Sequence, residues 1–309
     1  MIFPSHNVLV IGDTILDHDV YGECVGVSLE TPTLKARFKE EKVTHGGAAN
    51  VTQNLLALGA KVTFFTGVGP DRYTDFLTNW SHKKLTLVPI EYSGRNLVKS
   101  RTWITRGDRT YKYLQMNSGD RCPLPPQSVE EIKEYVVETK PDTVVMVDYQ
   151  NGIFDSEEDI QDLIGFIKAR GSVVICGSQI SGGANRYSYF RGADYICMNR
   201  DEALQTCEGF TENLPGMVAL TDKLKSSVVV TLGSSGAILY TRLPIPMLTT
   251  HGGYPVEVTD TCGAGDAFLA AFALCHKERE LDFCNKWAAA STQQIGTNAP
   301  SLEEVLSWQ

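Results

Sequence analysis

Short apolar, β-branched runs recur along the chain: VLVIGD at 8–13, VTFFTGVG at 62–69, TVVMVDY at 143–149, SVVICG at 172–177, DYICMN at 194–199, SVVVTLG at 227–233 and GAILYT at 236–241. Most are continuous rather than alternating, the pattern of strands covered on both faces. Helical spacing fills several of the intervals. Val51, Leu55 and Leu58 fall at i, i+4 and i+7, with Gly59 as the stop. Ile160, Leu163, Ile164 and Ile167 form a second stripe over 157–170, opened by a Ser156–Asp159 capping box and ended by Gly171. Strands alternating with helices predict an α/β fold: a mainly parallel sheet with helices on both sides, in three layers.

Two segments break that rhythm. In TLKARFKEEKV, Leu34, Ala36 and Phe38 alternate with Lys35, Arg37 and Lys39. LVKSRTWITRGDRTYKYLQM, 97–116, reads as two strands joined by a turn at Gly107-Asp108. One-sided, period-two strands inside an α/β chain predict an inserted antiparallel β-lid, contributed by about 18–45 and 95–117. Pro123, Pro125 and Pro126 mark the return to the main body, so residues 1–309 are expected to form one domain.

With 309 residues, 42% of them apolar, the chain can bury a large core. Its formal charge of -9 argues against a nucleic-acid or anionic-membrane partner, though not against an anionic small substrate. The eight cysteines show neither a C-x-x-C pair nor a zinc spacing, and several sit inside apolar runs. Buried free thiols of a reducing compartment are expected. MIFPSHNVLVIG has no basic leader and no stretch reaches transmembrane length, so a cytoplasmic protein is expected.

The stretch VTDTCGAGDAFLAAFALC, 258–275, carries the clearest chemistry. Phe268, Ala271, Phe272 and Cys275 follow at i, i+3, i+4 and i+7, so a buried helix begins near Gly265. Its first amides have no intrahelical partner, and the helix dipole is positive there. Gly263 and Gly265 let those amides approach an anion. Asp266 is placed to take a proton from a hydroxyl attacking that anion, or is simply a first-turn helix acid. No G-x-x-x-x-G-K-[ST] occurs and no G-x-G-x-x-G follows the first strand, which weakens a dinucleotide-dependent reading.

GDTILD at 12–17, GGAANVTQNLLALGA at 46–60, MNRDEA at 198–203, VTLGSSGA at 230–237 and DTCGAGDAF at 260–268 stand in the order seen in the ribokinase-like (PfkB) carbohydrate kinases. The chain resembles that family over residues 6–300. SLETPT at 28–33, VDYQNG at 147–152 and IGTNAP near the end are similar to the D-glycero-D-manno-heptose-7-phosphate kinase branch. The resemblance implies ATP and Mg2+ as cofactors, leaves a monovalent-cation requirement open, and implies a homodimer joined through the β-lid. It implies Asp266 as general base, with Gly263, Ala264 and Gly265 as the anion hole. Asp17, Gly46, Gly47 and Asn50 resemble the sugar-binding set, with Asp13 an equal alternative to Asp17 and Asp148 on the same side. GGAAN also reads as a plain helix start.

On the nucleotide side the resemblance implies Asn199, Glu202, Thr231, Gly233, Gly236, Asp260 and Asn285, with Glu202 placing magnesium through water. Asn199 and Glu202 also read as a capping pair, Thr231 to Gly236 as a strand-end turn, and Asn285 as an exposed helix residue. Lys99 with Arg101, or Lys35 with Arg37, could bind a sugar phosphate or merely solvate the lid. Trp103, Tyr111 and Tyr113 read as lid packing or a dimer contact. Two departures stand out: Gly177-Ser178-Gln179 where the branch carries D-P-K, and Asn151 where its D-Y-x-K-G has lysine. Neither amide has a cation's attraction for phosphate. Three readings follow: a heptose-7-phosphate kinase, a related kinase for another sugar or nucleoside, and a non-catalytic binding relative. A nucleotidyltransferase domain follows the kinase in bifunctional relatives, and that second activity is not expected of these residues.

Overall fold

The computed structural model describes residues 6–180, 184–242, 244–277 and 280–308. Of the opening stretch read above, residues 1–5 lie outside them. Strand β1 (Asn7–Gly12) is buried at all but its first residue. It pairs in parallel with β4 (Lys61–Val68) and β8 (Thr143–Asp148), so both of its faces must be covered. The sheet continues in parallel through β9 (Val173–Ser178), β10 (Tyr195–Asn199) and β11 (Ser227–Thr231). It ends in antiparallel β12 (Ala237–Thr241) and β13 (Met247–His251), while β5 (Leu85–Glu91) forms the other edge. Pro89 in β5 has no amide to offer a further strand, which suits an edge.

Helices cover both faces, as the continuous strands require. On one side lie α1 (Ala48–Ala57), α7 (Ala264–Cys275) and α8 (Leu281–Ser291), with Val305 of α9 (Leu302–Ser307) joining them. On the other lie α3 (Pro126–Thr139), α4 (Glu157–Lys168) and α6 (Leu214–Leu224). Gly59 after α1 has φ 92°, where a side chain would be strained. At α4 only half of the expected box forms: Ser156 Oγ accepts from the Asp159 N–H at 3.2 Å. Aspartate is one methylene shorter than the glutamate that returns the bond in a full box.

A second sheet of four strands, ordered β3–β2–β6–β7, stands on the first. Hairpins β2 (Thr14–Val27)/β3 (Leu34–Gly47) and β6 (Val98–Arg106)/β7 (Arg109–Ser118) are antiparallel. Between the hairpins, β2 and β6 run parallel because both leave the main sheet in the same sense. The β6–β7 turn is the expected Gly107-Asp108, with Gly107 at φ 64°. Leu77 of α2 (Thr74–Thr78) packs with Leu16, Val68 and Val98 where the sheets meet. The apolar alternation of β3 does not become a buried face: Phe38 is 62% exposed, and Tyr113 on β7 is 61% exposed.

All eight cysteines are free, and five are buried. No helix among the described residues is long and apolar enough to cross a membrane.

Candidate active site

Many of the residues singled out from sequence gather at the C-terminal edge of the parallel sheet, where chain turns collect in open α/β sheets. Asp266 lies in the first turn of α7 and is buried. Its Oδ1 accepts from the Tyr149 hydroxyl at 2.6 Å and its Oδ2 from Asn50 Nδ2 at 3.0 Å. Desolvation pushes its carboxyl up to about 6, against the opposing pull of those two hydrogen bonds. Tyr149 was carried in the sequence only as part of a matched stretch; the contact that gives it a role spans 117 residues.

Gly263 caps α7 in the left-handed region, φ 79°. A Cβ there would stand 2.6 Å from Asn50 Nδ2. The Ala264 N–H closes the turn on the Thr261 carbonyl at 3.3 Å, which leaves the amides of Gly265 and Asp266 as first-turn donors. Asp260 fixes the loop from below: its Oδ1 accepts from the Cys262 amide and its Oδ2 from the Gly296 amide.

Three hollows meet here. The middle one, about 100 Å³, is lined by Tyr149, Gln179, Asn199, Glu202, Gly265 and Asp266 among others. A larger one, about 640 Å³ and mostly apolar, shares Thr231, Gly265 and Phe268 with it and reaches Gly233, Gly236 and Asn285. That volume is within the usual range for a small-molecule site. The third, about 130 Å³, shares Tyr149 and Gln179 with the middle hollow and adds Lys99, Asn117 and Asn151. Lys99 Nζ sits 5.7 Å from the centre of the Tyr149 ring.

Glu202 belongs to α5 (Arg200–Thr206) and forms a complete capping box with Asn199: the Asn199 N–H donates to Glu202 Oε2 at 2.8 Å, and the Glu202 N–H to Asn199 Oδ1 at 2.9 Å. Tyr187 donates a further bond at 2.7 Å, while burial pushes the glutamate's pKa up. The capping reading is therefore met, and both residues also line the middle hollow. Asn285 is only 7% exposed, so it is not a surface residue of α8; its amide donates to the carbonyls of His251 and Gly252 at the hollow's wall. A Cβ on Gly236 would lie 2.0 Å from the His251 carbonyl oxygen, which explains that glycine.

The residues expected on the acceptor side divide. Asp17 receives Arg101 Nη1 at 2.8 Å, and Arg101 reaches on to Asp19 and to Cys262 Sγ. Burial raises the Asp17 carboxyl and Arg101 opposes it. Gly46 makes room for that carboxylate, because a Cβ would stand 2.7 Å from Asp17 Oδ2. Gly47 holds φ 61° with its would-be Cβ 2.5 Å from the Asp13 carbonyl oxygen. Asn50 is fully buried behind Asp266 rather than lining a hollow. Asp13 accepts from the amides of Tyr149, Asn151 and Ile153, and so shapes the loop that presents Tyr149. Burial, then the charge of Asp148, push Asp13 up to about 7. Asp148 is fully buried and accepts from Ser178 and the Gln150 amide. Lys35 and Arg37 are exposed near the far end of their hairpin, opposite Gly26 and Glu23, away from the hollows. Trp103 donates to Asp19 at 2.6 Å and stacks on Tyr21.

A buried carboxylate and the first-turn amides of α7 thus lie beside the middle hollow, which shares Thr231, Gly265 and Phe268 with the larger one. The pfkB family of carbohydrate kinases matches residues 5–304, and the chain belongs to that family. The bifunctional protein HldE of Helicobacter hepaticus is 28% identical over 98% of the chain, and that of Campylobacter curvus 29% identical over 97%. The chain spans 64% of the length of these two relatives. Phosphofructokinase-2 from Escherichia coli superposes at TM-score 0.73 with 19% identity, covering 96% of both chains. Ribokinase from Thermotoga maritima superposes at 0.69 with 22% identity, covering 97% of this chain and 98% of its own. These likenesses establish the ribokinase-like fold.

Proposed function

We propose that the chain transfers the γ-phosphoryl group of ATP to a hydroxyl of D-glycero-D-manno-heptose 7-phosphate, giving the 1,7-bisphosphate. The observation that carries the reading is Asp266 lining the middle of three hollows that share lining residues, with glycine-lined amides beside it. The similarity to the heptose-7-phosphate kinase branch and the HldE relatives support the choice of acceptor. ATP is assigned to the large hollow and its phosphates to the middle one. Asp266 takes the proton as the sugar oxygen bonds to phosphorus and the bond to the ADP oxygen breaks. The first-turn amides of α7 then balance charge on the transferring group.

Glu202 is an oxygen donor facing the phosphate hollow, and no group of three metal-ligating side chains exists among the described residues. That set fits magnesium, which keeps several waters and needs few protein ligands. Magnesium there would neutralise phosphate charge, with Glu202 holding it through water. The four-stranded sheet acts as a lid over the acceptor, tied down by Arg101.

Among the described residues, Lys99 is the one cation lining the acceptor hollow; Asn117, Asn151 and Gln179 are neutral. This favours a second reading, a kinase for an unphosphorylated sugar. ADP release should be measured with heptose 7-phosphate, free heptose, ribose, fructose, fructose 6-phosphate and adenosine. Heptose 7-phosphate is expected to give the highest kcat/KM. Faster turnover of free heptose or another sugar contradicts the acceptor assignment and leaves the kinase standing.

The exposed Phe38, Tyr111, Tyr113 and Met116 of the second sheet support a homodimer joined there. Sedimentation is expected to give a dimer at micromolar concentration and a monomer for Phe38→Glu. A monomeric wild-type chain contradicts this.

A further inference from the structure

We infer that Trp287, through Asn54 and Asn50, is a positioning residue that fixes which way the Asn50 amide faces and so keeps a donor on Asp266. The inference rests on the reading of Asp266 as base. The chain of contacts is continuous: Trp287 Nε1 donates to Asn54 Oδ1 at 2.8 Å, Asn54 Nδ2 donates to Asn50 Oδ1 at 3.2 Å, and Asn50 Nδ2 donates to Asp266 Oδ2 at 3.0 Å. Trp287, Asn54 and Asn50 all have 0% exposure, so water does not substitute for a missing partner.

The direction follows from chemistry rather than from the placement of one amide. An indole N–H can only donate, so it demands the oxygen of Asn54. The other end of Asn54 meets the backbone carbonyls of Asn50, at 2.9 Å, and Asn298, at 3.2 Å, which can only accept. Both ends therefore set the same orientation of the Asn54 amide. With its NH2 toward Asn50, one N–H is shared between the Asn50 carbonyl and the Asn50 side-chain oxygen, and the NH2 of Asn50 is left for the carboxylate. Turned over, Asn50 would put its oxygen about 3 Å from Asp266 Oδ2 and repel the anion. Asn50 and Asn54 share one face of α1 because they are four residues apart. Trp287 comes from α8, whose Asn285, Ala288 and Ala289 line the large hollow.

Trp287→Phe deletes the donor and keeps an aromatic ring; 3-benzothienylalanine at position 287 deletes only the N–H and serves if the phenylalanine variant folds poorly. The carboxyl of Asp266 is followed by carbon-13 NMR of labelled aspartate, with Asp266→Asn assigning its signal. The other groups facing it are Asp17, Lys99, Tyr149 and Cys262, which neither variant touches. Its titration midpoint is expected to move upward by about half a unit, and kcat to fall about threefold, with KM for ATP unchanged. Phe272→Leu, a packing change in the same layer, should lower Tm without moving the midpoint. An unmoved midpoint in both position-287 variants overturns the inference, even if kcat falls. Full activity of Asp266→Asn would instead overturn the base, a separate result.

Discussion

Asp266→Asn is expected to lower kcat by about a hundred- to ten-thousand-fold, the usual contribution of a positioned base. The protein should nevertheless remain folded and bind ATP, because the substitution fits its surroundings. Asparagine can turn its oxygen toward Asn50 Nδ2 and its NH2 toward the Tyr149 oxygen, with the tyrosine accepting. Stability at neutral pH should not fall. A carboxyl raised from 3.8 to about 6 by burial carries a cost that is absent below pH 3.8 and fully present above about 6. Asparagine removes that cost. For the wild type the same shift places the acidic limb of kcat/KM near pH 6, since the base must be ionised. Steady-state rates with calorimetry on both proteins check this. A variant within tenfold of wild type at pH 7.5 would show that Asp266 is no more than a helix acid.

Gly263→Ala is expected to cost about a hundred- to a thousand-fold in kcat, comparable to losing an oxyanion donor. Two effects combine. An L residue at φ 79° is strained by about 1–2 kcal/mol. Its Cβ would also press on Asn50 Nδ2 at 2.6 Å and Thr297 Cγ2 at 3.2 Å. The Asn50 amide is the end of a side chain, yet it is held by Asn54 and Asp266 and has nowhere to retreat. Moving it takes the donor off the carboxylate while the loop turn opens. Gly265→Ala is the matched control for stability, because its Cβ meets nothing within 4 Å. Denaturation midpoints of the two variants measure the strain, and kcat of Gly263→Ala measures the site damage. Wild-type kcat in Gly263→Ala would show that the turn does not need its glycine.

What could be read from sequence was what is local. The buried strands β1, β4, β8, β9, β10 and β11 announce themselves as apolar runs because both faces are covered. Edge strands β5 and β13 do not, since they are half-exposed and mixed in polarity. The Gly263–Asp266 turn was legible because cap, glycine and acid lie within four positions. The partners of Asp266 were not, being separated from it by 117 and 216 residues. The alternation of the second sheet was visible, but it did not tell that Phe38 and Tyr113 stand exposed. Asp13 and Asp17 share a short stretch, and only the fold shows one holding backbone amides and the other an arginine.

The most direct measurement is single-turnover transfer of labelled γ-phosphoryl from ATP to heptose 7-phosphate between pH 5 and 9, in wild type and Asp266→Asn. The expected result is transfer by the wild type that falls off below about pH 6, and at least a hundredfold slower transfer by the variant at pH 7.5, with ATP affinity retained. Equal transfer by both proteins, or a wild-type rate with no acidic limb, would contradict Asp266 as the base.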